Sequence, residues 1–433
     1  MVNLFSSNNL KTILSFLFTF ILLTFSCGKR ENLSSGTESI LVEKAFIGKK
    51  EINASQYIEN IRYVPLESNS ACFLSGKAKF IISDSYIITH KENTAFILFD
   101  KANGDFIKKI ENTGRGPEEY QMIMDNGFYN PYNHNLYATK NLNRDILVYD
   151  LEGRFIETFR RPTYIEASSH FPYLSCNIDS FLDDSIYVSG ILNITGHVNK
   201  KLALCCRDSI IKFFPNFLKW GSEVPRENIE NYMYNTSWRG SRIFFTHNGM
   251  LNFKEIFNDT LFYVTTDSLL PRYVFGLGNK GVNYELQDKQ LVSKAESFYM
   301  QYYMINNIFE SNNFLFLSIE YQNINYLCVY NKKDKSLTVC DAIGTTTEEF
   351  DNGIIIPGTY PTGLKDNING FLPLIPVQIT REDELVCVLE AREIVKWKNE
   401  NSETSIKLEK KLDWLKDIDE FSNPVIVFAE LKY

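Results

Sequence analysis

The chain has 433 residues, with 45 Lys+Arg against 53 Asp+Glu, a formal net charge of −8, and 44% hydrophobic and 14% aromatic side chains. An acidic balance without a basic block excludes electrostatic capture of nucleic acid. The apolar share suffices for a large packed core, which length alone would divide into two or three domains.

Residues 1–26 contain one charged side chain, Lys11, and the apolar run ILSFLFTFILLTF at 13–25. The run is short for a bilayer crossing and has the length of a signal-peptide core. Ser26 then precedes Cys27 in a way that resembles the lipobox of bacterial lipoproteins, where the cysteine is acylated and becomes the new N-terminus. Thr24 departs from the leucine usual three places before that cysteine. Lipid attachment at Cys27 would hold the protein to a bilayer by burying methylenes at about 0.8 kcal/mol each; the alternative is ordinary secretion with a buried Cys27. The polar segment GKRENLSSGTES reads as a tether. The expected organisation is a lipoprotein signal peptide at 1–26, a flexible tether at 27–40 and one domain at 41–433, since no linker long enough to separate two domains follows.

The seven cysteines beyond Cys27 include no C-x-x-C pair, and several lie in apolar runs such as YLCVY and LVCVL. Buried free thiols are expected, not a disulfide framework. Cys328 and Cys340, which flank a hairpin, form the one pair to test for a disulfide.

In chain order, short β-branched and aromatic runs alternate with turn residues. FIISDSYIITH at 80–90 is strand, turn, strand, and TAFILFDKANGDFIKKI at 94–110 is a hairpin turning on Lys101 to Gly104. HNLYATK at 134–140 and RDILVYDLEGRFIETF at 144–159 repeat this grammar. Asp100 and Asp150 close equivalent strands, 50 residues apart. Looser copies follow at 183–214, 252–278 and 313–340. YIENIRYVPLES near the mature start, with LVCVLEA and NPVIVFAEL near the end, supplies a sixth unit built from both chain ends, which would close a ring without exposed edges. Helical periodicity predicts two helices, at 285–306 and at 405–421, the latter with Leu408, Leu412, Leu415 and Ile418 on one face.

VPLES at 64–68, FDKANGDFIKKI at 99–110, GRGPEEY at 114–120, YDLEGRFIETF at 149–159, NDTLFYV at 258–264 and NPVIVFAELK near the end are similar to the six-bladed β-propeller lipoproteins of Gram-negative gut anaerobes. Their repeat grammar is related to that of NHL propellers. The resemblance spans the mature chain and implies an all-β, six-bladed β-propeller of four-stranded antiparallel blades, with the two helices as insertions. It implies no activity.

GRGPEEY lacks the Lys-Ser/Thr of a phosphate loop, and Pro117 removes an N–H that a phosphate would need. In NHL-type repeats a similar segment joins the outer strand of one blade to the inner strand of the next, so the segment reads as a corner in which Gly114 and Gly116 can take positive φ. Glu118 and Glu119 point to opposite faces of an extended segment and cannot both serve a ligand. Arg115 either holds the turn through one of these glutamates or points into the mouth of the ring. In YNTSWRGSRIFF, Trp238 beside Arg239 and Arg242 offers a stacking ring and donors for hydroxyls or carboxylates, or else packs between blades. His90, His134, His197 and His247 are scattered, no D-x-D-x-D-G loop occurs, and no G-x-S-x-G elbow is present, so no metal, cofactor or catalytic residue is assigned. Asp183 and Asp184 read as turn caps. D-S/T-aliphatic triplets at Asp184, Asp208, Asp259 and Asp267 resemble an O-glycosylation signal of exported proteins.

The resulting expectation is an extracytoplasmic propeller, anchored through Cys27 to the outer membrane on its surface or periplasmic face. It would bind a glycan or peptide at the loop face through Arg115, Glu118, Trp238, Arg239 and Arg242. An enzyme of polysaccharide lyase, glycosidase or lactonase type, with groups converging from several blades, is the alternative. A structural subunit of an outer-membrane complex is the second.

Overall fold

The computed structural model describes residues 36–74, 78–91, 95–120, 123–140, 144–165, 173–191, 193, 198–218, 242–255, 257–282, 301–341 and 360–433. The strands of the compact unit Ser39–Tyr433 assemble into six antiparallel blades.

Blade one comprises Phe80–Ile82, Tyr86–Lys91, Ala95–Asp100 and Phe106–Ile110; blade two comprises Ile123–Asn130, Asn135–Lys140, Asp145–Tyr149 and Phe155–Arg160. Blade three comprises Ser180–Phe181, Ile186–Gly190, Lys200–Cys206 and Ser209–Pro215; blade four comprises Arg242–His247, Met250–Glu255, Thr260–Val264 and Leu269–Phe275. Blade five comprises Met304–Glu310, Phe314–Tyr321, Ile324–Asn331 and Ser336–Val339. Blade six takes Pro376–Ile379, Glu384–Leu389 and Val425–Leu431 from the end of the chain and Ile58–Pro65 from near its start, so the sixth unit is built as the sequence indicates. Each blade is a meander, and tight turns do most of the work. At the turn from third to fourth strand, Asp100 Oδ1 accepts the Ala102 N–H at 2.7 Å, and Asp150 Oδ1 accepts the Glu152 N–H at 2.9 Å. Gly104 and Gly153 follow at φ 83° and 81°, conformations that a Cβ would strain. This chemistry is what recurs at the 50-residue spacing.

The middle strands are apolar on both faces because each blade is sandwiched between two others. Along Ala95–Asp100, Phe96 and Leu98 pack with Tyr149 and Leu136 of blade two, while Ile97 and Phe99 pack with Val386 and Phe428 of blade six. Equivalent clusters join blades two to three through Val148 and Ala203, three to four through Leu204 and Phe253, four to five through Leu261 and Leu317, and five to six through Val329 and Val427. Six apolar layers therefore close the ring. Blade four also gains an edge partner, since the Gly276 N–H donates to the Ile40 carbonyl at 2.7 Å.

Both helix expectations change. Between the second and third strands of blade six lie the helices Ala391–Glu400 and Ser402–Glu409 and the 3₁₀ turn Asp413–Lys416, not one helix over 405–421. In a continuous helix Leu408 and Trp414 would point about 120° apart. The break at Leu412 (φ −122°, ψ 84°) instead brings Leu408, Leu415 and Trp414 against the same core. Of the helix expected at 285–306, residues 285–300 fall outside the described residues. Met304 and Ile305 pair with Glu320 and Ile319 in blade five, where strand pairing overrides the helical periodicity.

Cys328 and Cys340 are free thiols. Cys328 packs in the layer between blades four and five and Cys340 in the layer between five and six, so the sheet itself separates them.

Candidate functional site: the loop face

In a meander, the connections from fourth strand to next first strand lie at the same end as those from second to third strand. This end is the loop face, and GRGPEEY belongs to it, between Phe106–Ile110 and Ile123–Asn130. The corner is held mostly by its own backbone and by Glu119. Gly114 N–H donates to the Tyr120 carbonyl at 3.0 Å, and Tyr120 N–H to the Asn112 carbonyl at 3.0 Å. Glu119 Oε2 accepts the Gly116 N–H at 2.8 Å. Lys140 Nζ donates to the carbonyls of Gly116 and Pro117 at 2.9 and 3.1 Å, and Tyr149 OH to the Glu118 carbonyl at 2.7 Å. Neither Gly114 nor Gly116 uses the positive φ open to a glycine. Gly114 serves by leaving room: a Cβ there would stand 1.8 Å from Glu119 Oε2. Tyr120 is fully buried against Tyr149, with ring centroids 6.1 Å apart. Arg115 and Glu118 are exposed, and no ion pair ties Arg115 to Glu118 or Glu119 among the described residues.

Two blades further round, charged side chains converge on the same face. Arg242 opens the first strand of blade four, and Asp179 directly precedes the first strand of blade three. Their Nη1 and Oδ2 atoms are 3.5 Å apart, with side chains 20% and 31% exposed. Asp179 Oδ2 also accepts the Gly190 N–H at 2.6 Å. Gly190 lies under the guanidinium, since a Cβ there would stand 1.8 Å from Arg242 Nη1. Lys201, at the start of the third strand of blade three, pairs with Glu255 at the end of the second strand of blade four. Lys200 stacks over Tyr164 and Phe213, 5.3 and 5.1 Å from their centroids.

Beside Glu255, Lys254 is fully buried, its Nζ donating to the Glu255 carbonyl at 2.8 Å. Burial pushes its ammonium down to about 8, against partial support from the carboxylates of Asp259 and Glu255. Burial also raises the Asp259 carboxyl, which Lys254 only partly offsets. Asp259 Oδ1 has no hydrogen-bond partner among the described residues, and the same holds for His90 Nδ1, Thr139 Oγ1 and Asn193 Nδ2. These four belong to second-strand ends or second-to-third connections, so all lie at the loop face. Such buried polar atoms normally find partners, and four gather at the loop face, while Tyr132 OH, in the first-to-second turn of blade two, is unpartnered among the described residues at the opposite face.

The opposite face, formed by the first-to-second and third-to-fourth turns, carries a buried charge network in which each ion has a partner. Glu310 Oε1 and Oε2 are gripped by Arg272, with Lys332 Nζ at 2.5 Å and His247 Nε2 at 3.8 Å. Burial would raise the Glu310 carboxyl, but these partners win and hold it below the usual range. Arg272 lies over the rings of Tyr263 and Tyr273 and donates to Asn252 Oδ1 at 2.9 Å. A cleft at the turns of blades one, two and six, lined by Asp84, Tyr129, Pro131 and Arg381, has a volume of about 20 Å³. That is room for about one water, not for a ligand.

Of the sequence-selected residues, Arg115, Glu118 and Arg242 reach the loop face; Trp238, Arg239, His197 and Cys27 fall outside the described residues. Asp183 caps its turn as read, its Oδ1 accepting the Ser185 and Ile186 N–H groups at 2.8 and 2.6 Å. Asp179, Lys201, Lys254 and Glu255 were missed, and Asp259 was read only as the start of a D-T-aliphatic triplet. Only Lys254 carried a signal, as a lysine inside an apolar strand followed by a second charge.

The blades and their closure define a six-bladed β-propeller. The family described as Domain of unknown function (DUF4934) matches residues 37–430, and the chain belongs to it. No curated protein matches the sequence. Among solved structures, a protein of Bacteroides fragilis NCTC 9343 described as exported is 14% identical, with a TM-score of 0.58 over 92% of this chain and 99% of that one. A member of the DUF4221 family from Bacteroides vulgatus ATCC 8482 is 12% identical, with a TM-score of 0.48 over 87% of this chain and 97% of that one. At 14% identity the first of these likenesses speaks for the fold alone.

Proposed function

We propose that the protein is an extracytoplasmic propeller, lipid-anchored through Cys27, that binds a polar ligand, a glycan or a peptide, on its loop face. One observation carries the ligand reading: the part-exposed pair Arg242 and Asp179 stands on the face where the unpartnered atoms of His90, Thr139, Asn193 and Asp259 collect. A guanidinium and a carboxylate with remaining exposure offer donors and acceptors to hydroxyls, amides or carboxylates. The apolar leader and Ser26-Cys27 support the anchor. Glycan and peptide arrays probed with the protein test the reading; blank arrays of both kinds overturn it. Metabolic labelling with a fatty-acid analogue tests the anchor, which requires label on the wild type and none on Cys27→Ala.

A second reading rests on Lys254. An amine that titrates at about 8 is suited to remove a proton near neutral pH, as an elimination from an acidic polysaccharide requires. Its complete burial and its bond to the Glu255 carbonyl favour binding over catalysis. Release of unsaturated products from acidic polysaccharides, lost in Lys254→Met, would reverse that preference.

A further inference from the structure

Between blades four and five the loop face carries a second cluster, which the ligand reading does not use. The short helix Val42–Phe46 follows the edge strand Glu38–Ile40 of blade four, and its Glu43 N–H donates to the Gly276 carbonyl at 3.1 Å. It lays Phe46 against Tyr303, Tyr321 and Tyr326, with ring centroids 4.4, 6.1 and 5.2 Å apart. Tyr303 directly precedes the first strand of blade five, Tyr321 ends its second and Tyr326 lies near the start of its third, so all three stand at the loop face. Two lysines cap the rings. Lys280 Nζ, from the connection between blades four and five, lies 5.5 and 4.8 Å from the centroids of Tyr303 and Tyr321 and donates to Tyr321 OH at 2.8 Å. Lys49 Nζ lies 4.7 Å from the centroid of Tyr326 and donates to its OH at 3.2 Å. Each phenol oxygen thus accepts from an ammonium, which leaves its own O–H to donate. Among the described residues neither hydroxyl finds an acceptor, and neither ammonium has a carboxylate within ion-pair distance. The nearby acids are turned elsewhere: Glu51 pairs with Lys365 at 3.0 Å, and Glu43 lies against Gly278, where a Cβ would stand 1.8 Å from its Oε2.

We propose that Lys280, Lys49 and the hydroxyls of Tyr321 and Tyr326 bind the carboxylates of an acidic glycan. The cluster consists of donors and positive charge on a protein whose net charge is −8, so the chemistry it lacks is an anionic acceptor. Lys280 is exposed, and Lys49 and Tyr321 are half-buried, which leaves these donors within reach of a ligand. Seated on the rings and bonded to the phenols, both ammoniums are positioned before a ligand arrives, so binding costs less side-chain entropy. A uronate polymer supplies carboxylates together with hydroxyls that can accept. An acidic peptide fits less well, because its backbone N–H groups would meet a surface without acceptors. The inference rests on the proposed function in placing a glycan at the loop face, but it names the class of sugar and a site between different blades.

The test is calorimetric titration of the protein with three uronate polymers, polygalacturonate, alginate and hyaluronan, and with neutral dextran and poly-glutamate. Expected is binding of at least one uronate polymer, weaker binding of poly-glutamate, none of dextran, and an affinity that falls as salt is raised. Lys280→Gln should weaken the uronate by about tenfold, and Lys280→Arg should recover most of that loss. Lys365→Gln, which removes a lysine already paired with Glu51, should leave the affinity unchanged. Melting temperatures equal to that of the wild type show that each variant is folded. Failure of all three uronate polymers to bind overturns the proposal, as does an affinity unchanged in the double variant Lys49→Gln with Lys280→Gln, or an equal loss in Lys365→Gln. Poly-glutamate binding more tightly than every uronate polymer overturns the glycan in favour of an acidic peptide. Arg242→Ala separates the two readings. A ligand lost in Arg242→Ala and kept in Lys280→Gln upholds the proposed function and overturns this inference; the reverse upholds this inference and moves the ligand away from Arg242.

Discussion

The two faces of the propeller use charge differently. Around Glu310, a fully buried carboxylate is met by Arg272, Lys332 and His247, and Arg272 is in turn packed against two tyrosine rings. At the loop face, Lys254 is as deeply buried, but no carboxylate lies within ion-pair distance of it among the described residues, and Asp259 beside it keeps an unpartnered oxygen. A satisfied network fixes turns of neighbouring blades in one arrangement. An unsatisfied one costs stability, and that cost is retained where a surface does something besides folding.

The sharpest way to break this contrast is to remove the centre of the closed network. Glu310→Ala leaves two buried cations facing each other and should cost about 3–5 kcal/mol, read as a lowered urea midpoint. At the loop face, acid should act first on His90. Burial, followed by repulsion from Lys79, depresses its imidazole from 6.5 to about 4, so the fold keeps it neutral. The unfolded chain therefore takes up that proton first. This contribution to stability is full above 6.5 and is lost as pH falls to about 4, with a magnitude of order 3 kcal/mol. The urea midpoint measured over that window should decline, and His90→Gln should flatten the decline.

Lys254 has the opposite sign from Glu310. Its folded value lies below 10.5, so its penalty is complete under pH 8 and disappears as pH rises from about 8 to 10.5. Lys254→Met should therefore stabilise the protein at pH 7, by about 1–3 kcal/mol, with the gain fading in alkali. Equal losses in Glu310→Ala and Lys254→Met would erase the distinction between the faces. The smallest effect on stability is expected at the corner, where Arg115→Ala should change the melting midpoint by no more than about 0.5 kcal/mol equivalent and act only on ligand affinity.

Much of the fold was legible in the sequence because its signals are local. Asp100 with Gly104 and Asp150 with Gly153 announce the same turn twice, and GRGPEEY announces a connection between blades. The sixth blade was readable for a different reason, since a ring of meanders has to pair its first strand with its last. The site was less legible. Arg242 was found by its neighbours in sequence, but Asp179 is 63 positions away and Glu255 is 54 from Lys201. These pairs meet only because the third and fourth blades stand side by side, and no linear motif encodes that. The helices of blade six failed for a related reason: apolar spacing fits a straight helix, but the core they cover demands that Trp414 turn toward Tyr63 and Phe371, at 5.7 and 6.3 Å.

The most direct measurement is the affinity of wild type and Gly190→Ala for a ligand selected on the arrays. A Cβ at residue 190 occupies the place of the Arg242 guanidinium, whose flexible stem can yield without disturbing the blade. A loss of affinity of about tenfold, equivalent to about 1.4 kcal/mol, with an unchanged melting temperature, is the result expected if the loop face between blades three and four binds the ligand. Unchanged affinity in Gly190→Ala, together with unchanged affinity in Arg242→Ala, would contradict it.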